Sequence, residues 1–342
     1  MEQLFFPREE LDLLVRGIFE AAGVPAEHAA AVTGNLIAAD MCGLPSHGLM
    51  RVKPYLQRIR AGLTDPRPVI SHRQVGESLF QVDAGGALGQ VAAEHALALC
   101  MDRAGKSGAA AAAVSHMNHL GMAGFYTRKA AQAGFLAFLC TNASPTMAPF
   151  GGLDCLLGTN PFSLSFDAGR HGVFTLDIAT TAAARGKVRM YEKEGKPLPP
   201  GWALDDRGND TTDPAKALEG SMLPMGAHKG YGLSMIVDVL SALLSGADLS
   251  YEAESMFQAG RPANTGCYMS LVDISRFVSR DEFLRRCEAW MDAVKSSRLR
   301  PGFSEILLPG EIEDRRLAEA RDRVPLLDKT YQELRELADQ AR

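Results

Sequence analysis

The sequence predicts an α/β protein in which a helical domain built from both chain ends joins a central mixed-sheet domain. Two observations carry this. Helical periodicity occupies the two ends, residues 1–75 and 278–342, while strand-like runs lie in residues 76–277. Within that middle stretch the elements do not follow the regular βαβα order of a doubly wound parallel sheet. The length of 342 residues suits two domains and a sizeable core.

The elements follow in order. Leu11, Leu14, Val15, Ile18, Phe19 and Ala22 recur at three- and four-residue steps, one apolar helical stripe that Gly23 and Pro25 close. A second helix spans 26–41, with Val32, Leu36 and Ile37 inward. A third carries Val52, Tyr55, Leu56 and Ile59 and ends at Gly62; Pro54 either kinks it or lies in its first turn. Strands are expected at 78–83, 110–115, 135–141, 161–167, 172–179 and 267–274, with a helix over 91–103 between the first two. Further helices are expected at 231–245, 281–295, 311–323 and 328–341. Residues 191–217, rich in Gly, Pro, Lys and Asp, read as a long surface loop.

Composition excludes several classes. Hydrophobic residues make up 46% and charged residues 23%, which argues against disorder, collagen and coiled coil. The formal charge of −5 offers no basic stripe for nucleic acid. No apolar run reaches the ~20 residues that span a bilayer. The acidic N-terminus lacks the pattern of a signal peptide. Six scattered cysteines without a CxxC pair read as free thiols in a reducing compartment, hence the cytoplasm.

Four clusters could carry chemistry. In Pro45–Arg51, Ser46 reads as a helix cap that sets His47 and Arg51 at i and i+4 on one face. The guanidinium fork suits a substrate carboxylate and the imidazole a proton transfer; a capped surface helix is the plainer reading. His116 and His119, three apart at a strand end, lack the further ligand a metal needs. Asn142–Pro145, Ala148–Gly152 and Gly158–Pro161 are turns or a ligand cradle. Lys229, among glycines at a helix start, suits a phosphate or carboxylate, or is a solvated charge. No GxGxxG or GxxxxGK[ST] occurs; Gly85-Gly86-Ala87-Leu88-Gly89 is either an anion-receiving loop or a tight strand-to-helix turn.

In this order the clusters resemble the malate/L-lactate dehydrogenase family, which includes ureidoglycolate and sulfolactate dehydrogenases, diketogulonate reductase and a cyclic-imine reductase. The matching stretches are GLPSHGLMR (43–51), NHLGMAGFY (118–126), TNASPTMAPFGG (141–152), GTNPF (158–162), LDIATTAAARG (176–186), GAHKGYG (226–232) and LPGE (308–311). The resemblance implies a nucleotide-binding fold that is not a Rossmann fold, NAD or NADP as cofactor, a small carboxylate substrate, and a homodimer. It implies His47 as acid/base with Ser46 beside it, and His119 as a second candidate for that role. Arg51 becomes the carboxylate anchor and Thr159 a second substrate contact. The implied cofactor contacts are His119, Leu120, Gly121, Met122 and Ala123, then Ser144, then Asp177, Ile178 and Ala179, then His228 and Lys229, then Pro309, Gly310 and Glu311. The expected reaction moves a hydride between NAD(P) and a 2-hydroxy acid/2-oxo acid pair. The imine-reducing branch carries an aspartate after Ala-Arg-Gly, where this chain has Lys187. That makes an NADPH-dependent cyclic imino acid reductase the second reading. A catalytically silent ligand-binding member would have lost the Ser-His-Gly-x-x-Arg cluster, which is intact.

Overall fold

A computed structural model describes every residue except Met1, Glu2, Ala259, Ala341 and Arg342. β1 (Gln3–Pro7) leads into α1 (Arg8–Ala21) and α2 (Ala26–Met41). Two single 3-10 turns, Pro45–His47 and Leu49–Arg51, precede α3 (Val52–Arg60). Then come β2 (Ser71–Gly76), β3 (Leu79–Asp83), α4 (Gly89–Ser107), β4 (Ala109–Met117), α5 (Ala123–Gln132), β5 (Phe135–Thr141), β6 (Phe162–Asp167) and β7 (Val173–Ile178). α6 (Arg185–Glu194), β8 (Ala203–Leu204), β9 (Asp210–Thr211), α7 (Pro214–Glu219) and β10 (Ser221–Met222) follow. α8 (His228–Asp238) continues into a π-helical turn, Val239–Leu243. β11 (Thr265–Asp273), α9 (Arg280–Lys295), α10 (Glu311–Ala320), β12 (Arg323–Leu327) and α11 (Asp328–Gln340) complete the chain.

The large sheet has seven strands in the order β2-β3-β4-β11-β5-β6-β7. Only β3 and β4 run parallel; the other neighbours are antiparallel. This mixed sheet matches the expected absence of a doubly wound order. α4 is the crossover that parallel neighbours require. Its Ala92, Ala93 and Ala96 and the strand's Ala110 and Ala112 are all buried in the main core, so small side chains let helix and sheet approach closely.

The two chain ends meet, as expected, but through a feature the periodicity did not reveal. β1 and β12 form a two-stranded antiparallel sheet, Gln3 opposite Leu327. The helix expected over 311–323 therefore stops at Ala320, and the one expected over 328–341 ends on Ala341, outside the described residues. α1, α2, α3 and α11 enclose Leu11, Val15, Phe19, Leu36, Tyr55 and Leu334. Pro54 sits in the first turn of α3, where no intrahelical donor is lost. Two pieces of the end segments belong with the large sheet. β2 starts at Ser71, and α9 buries Cys287 and Met291 against Phe166 and Phe174.

The expected loop over 191–217 is corrected. It holds the end of α6, the short strands β8 and β9 and most of α7, and β10 just beyond it completes one three-stranded sheet. Val188, Leu198, Ala203, Ala217 and Met222 give this unit its own small apolar core, with Tyr191 and Trp202 packed on it. Polar and Gly/Pro-rich spacing concealed it, because each strand is two residues long and shows no period.

Candidate active site

The expectation of a single helix capped by Ser46 is also corrected. The chain breaks at Gly48 (φ −91, ψ −155) between two 3-10 turns, and the Ser46 side chain caps no helix. Gly48 lies directly against Asp40 of α2. A Cβ there would meet Asp40 Oδ1 at 2.2 Å, and Asp40 Oδ2 accepts a hydrogen bond from Leu49 N at 2.7 Å. Burial pushes the Asp40 carboxyl up to about 8 against that hydrogen bond, so it carries its proton at neutral pH.

The break folds the cluster inward instead of along a helical face. Arg51 Nε donates to Ser46 O at 2.6 Å, and Ser46 Oγ lies 2.9 Å from His47 Nδ1. The strand-end turn after β4 brings His119 against them. The His47 and His119 rings stack with centroids 5.6 Å apart and 26° between planes. Tyr55, on the inward face of α3, has its hydroxyl 2.7 Å from His119 Nδ1, and Gln90 Nε2 donates to the same hydroxyl at 3.0 Å. Gly121 N donates to His119 Nδ1 at 3.3 Å. Ser46, His47, Arg51 and His119 thus meet in one place.

Burial dominates the electrostatics. It pushes His47 down to about 4, with the Arg51 guanidinium as a second cause. His119 is held well below its ordinary value by burial, then by Arg51 and His47. Tyr55 is pushed up to about 12 by burial and so keeps its proton. Both imidazoles are neutral at pH 7.

The sequence reading missed Tyr55, Gln90, Arg189, Met256 and Phe257 as neighbours of the site. Tyr55 entered only as an apolar stripe position; its hydroxyl was the overlooked signal. The others come from distant segments and carry no local motif. Arg51 Nη1 reaches Met256 Sδ at 3.3 Å, and its guanidinium lies over the Phe257 ring at 5.2 Å. Arg58 holds the same segment through Gln258 O at 3.0 Å.

The remaining expected residues line the adjoining sheet. Asn35 of α2 fixes the Leu120–Met122 turn, donating to Met122 O and accepting from Met122 N, both at 3.1 Å. Tyr126 Oη donates to Leu120 O at 2.7 Å. Gly121 has φ +78, and a Cβ on it would meet Asn35 Oδ1 at 2.0 Å, so only glycine fits. Ala123 opens α5. Asp177, near the end of β7 beside Ile178, accepts from Gly124 N at 2.7 Å, and burial pushes it up to about 6. Ala179 follows, half-buried. Thr159 O accepts from Thr180 N and Oγ1, both at 2.9 Å. Ser144 is half-buried in the turn after β5, while His228 and Lys229 are exposed at the start of α8. Pro309 O accepts from Thr175 N at 3.1 Å, and Gly310 packs on the same threonine. Glu311 is already engaged, bonding Leu308 N at 2.9 Å and Lys295 at 2.7 Å. Among the described residues no hydrogen bond joins Thr159 to His47 or Arg51.

Gly86 N donates to His116 O at 2.8 Å and Gly85 N to Asp83 Oδ1 at 2.9 Å, so the glycine-rich loop is a tight turn whose two glycine amides are committed. His116 pairs with Asp83 at an exposed strand end, away from His119.

A family model described as malate/L-lactate dehydrogenase matches residues 6–335. The chain is 34% identical over 334 residues to an L-sulfolactate dehydrogenase of Methanocaldococcus jannaschii, covering 98% of this chain and 96% of that protein. The sulfolactate dehydrogenase structure from that organism superposes with a TM-score of 0.93 at 33% identity, covering 99% of this chain and 97% of the other. A ureidoglycolate dehydrogenase (NAD(+)) of Escherichia coli is 33% identical over 331 residues, 96% of this chain and 94% of its own. A (2R)-3-sulfolactate dehydrogenase (NADP(+)) of Chromohalobacter salexigens is 36% identical over 290 residues, 83% and 85% of the two chains.

Proposed function

This chain belongs to the malate/L-lactate dehydrogenase family, and from that premise we infer that it moves a hydride between NAD or NADP and a small 2-hydroxy acid/2-oxo acid pair. The observation that carries the site reading is the linkage of Arg51 to Ser46 O and of Ser46 Oγ to His47. It sets a carboxylate fork and a proton carrier around one serine.

The residues present suit a dinucleotide. The lysine ion pairs among the described residues use Lys106, Lys129, Lys196 and Lys295, which leaves Lys229 at the N-terminus of α8 for a phosphate. Gly124 N uses Oδ2 of Asp177, so Oδ1 can take a ribose or carboxamide donor. The Leu120–Ala123 turn, Ser144, Ile178, Ala179, Pro309 and Gly310 would form the walls. Glu311 would act by fixing the 308–310 turn through Leu308 N. The nicotinamide ring, when bound, supplies or takes the hydride.

The chain's own groups do the rest. Arg51 binds the substrate carboxylate through its outer N–H groups, and Thr159 gives a second contact. In oxidation, neutral His47 takes the hydroxyl proton at Nε2 while Nδ1–H donates to Ser46 Oγ. In reduction, the bound carboxylate cancels the Arg51 charge, raises the proton affinity of His47, and lets it protonate the carbonyl oxygen. Such help is worth about 10²–10⁴ in rate.

Hydrogen bonding supports different roles for the two histidines. Tyr55 accepts from Gln90, so its own proton points at His119 Nδ1, which also accepts from Gly121 N. A neutral imidazole accepting at Nδ1 carries its proton on Nε2. His119 therefore offers a donor, suited to a substrate or carboxamide oxygen, and His47 is the base.

The test is a panel of 2-oxo acids and cyclic imino acids with NADH and NADPH, followed by nicotinamide absorbance. Turnover of at least one 2-oxo acid is expected. Turnover of the imino acids alone would install the imine-reductase reading instead. Against that reading, Lys187 extends over the Trp202 ring at 4.9 Å and supplies no acid behind Ser46.

Three coarser features complete the proposal. Residues 1–75 with 278–342 supply His47 and Arg51, and residues 76–277 most of the cofactor surface, completed by Pro309 and Gly310, with β2 paired into the sheet and α9 packed on it. A homodimer forms through the exposed apolar face of α8. Six free cysteines, five of them buried, suit the cytoplasm.

A further inference from the structure

A second guanidinium stands at the substrate end of the site. Arg189, four residues after Arg185 on α6, lies over the Phe257 ring at 5.3 Å, and Arg51 lies over the same ring at 5.2 Å. One phenyl ring thus holds two arginines from elements far apart in sequence. The shared ring sets a second cation beside the carboxylate fork.

Among the described residues neither arginine has an ion-pair partner. The ion pairs among the described residues are made by other arginines, such as Arg128, Arg170, Arg261 and Arg315. Among the described residues Arg51 has Ser46 O, Met256 Sδ and the ring as partners. The charge of Arg189 helps to push Arg51 below its ordinary value, after burial as the larger cause. Two like charges on one half-exposed ring without a counter-ion repel unless an anion joins them. α6 adds to this field. Its N-terminus abuts the catalytic turn, with an ideal Cβ on Gly186 3.9 Å from Ser46 Cβ, and that end of a helix favours negative charge.

We propose that Arg189 is the specificity-determining residue for a second acid group, carboxylate or sulfonate, on the substrate carbon chain, and that Phe257 sets its distance from Arg51. This rests on the dehydrogenase reading and narrows it from 2-hydroxy acids in general to dianionic ones. Arg51 takes the carboxylate next to the reacting carbon, and Arg189 takes the distal group. A monoacid such as pyruvate fills only the first.

The experiment compares kcat/KM for oxaloacetate and pyruvate in the wild type, Arg189→Gln and Arg189→Lys, with whichever nicotinamide cofactor turns over. The wild type should favour oxaloacetate. Charge-assisted hydrogen bonds contribute enough that Arg189→Gln should lower the oxaloacetate-to-pyruvate ratio about 10- to 100-fold, chiefly through KM, with Lys restoring part of it. Equal losses for both substrates would make Arg189 structural, and an unchanged ratio would place it in solvent; either overturns the proposal. Calorimetric binding of malate and lactate to the same variants needs no turnover. It keeps the proposal testable if the dehydrogenase reading fails: a preference for malate that Arg189→Gln does not reduce also overturns it.

Discussion

His47 combines two environments that its local sequence could not reveal. Burial and the neighbouring Arg51 cation both disfavour the imidazolium, which pushes its pKa down to about 4. In the direction of hydroxy-acid oxidation the base form therefore survives far below the ordinary histidine range. The acid limb of log kcat/KM against pH should fall near 4, and Arg51→Leu should move it upward by removing the coulombic cause while leaving burial. His47→Ala should lower kcat by about 10²–10⁴. A wild-type limb near 6.5, or one that Arg51→Leu leaves in place, would mean that another group carries the proton. The residues of this site were legible one by one, since Ser46, His47, Arg51 and His119 all stand in recognisable clusters. The choice between His47 and His119 was not, because the Tyr55 and Gln90 contacts that bear on it come from other elements.

At the scale of elements, the turn through Gly48 has a physical cause in α2. The expected i, i+4 helix would have kept His47 and Arg51 on one face. Instead Asp40 reaches up, bonds Leu49 N and excludes any side chain at position 48. A carboxyl raised to about 8 in the fold ties stability to pH. Its contribution is fully present below about 3.8, where the unfolded chain also holds the proton, and is lost as the pH rises toward and through about 8. Asp40→Asn keeps an acceptor for Leu49 N without the titration, so it should flatten that slope. Urea unfolding at pH 5 and pH 9 checks this: the wild type should lose more stability than the variant between the two. Equal losses would show that Asp40 is ionised in the fold. Periodicity located α2 at its observed ends and most sheet strands to within two residues, because each has its own apolar pattern. It missed β1 and β12, short strands from opposite ends of the sequence that pair with each other. It also missed the 3-10 break, whose cause lies eight residues upstream on another element.

The whole molecule presents one surface out of keeping with an isolated chain. Ile236, Val239 and Leu243 are 55%, 45% and 61% exposed along one side of α8 and its π-helical turn, flanked by Met235 and Leu244. Single exposed apolar residues are ordinary, but a contiguous stripe marks an interaction surface. The opposite side is anchored by small buried residues, Gly230, Ser234, Ser241 and Ala242, which hold the helix against the sheet. The stripe is thus fixed in place and cannot fold inward. A second copy of the same stripe covers it most simply, because a two-fold interface needs only self-complementarity. Stable interfaces of this kind bury roughly 800 Å² per partner, more than one helix offers, so neighbouring exposed side chains such as Phe150 and Leu153 would have to contribute. In a two-fold dimer every substitution appears twice, facing itself across the axis or its symmetry mate nearby. Ile236→Asp with Leu243→Asp would place four carboxylates in that apolar centre. Light scattering at micromolar concentration should then report a dimer for the wild type and a monomer for the double variant, with circular dichroism showing the monomer still folded. A monomeric wild type, or a double variant that stays dimeric, would remove α8 as the interface.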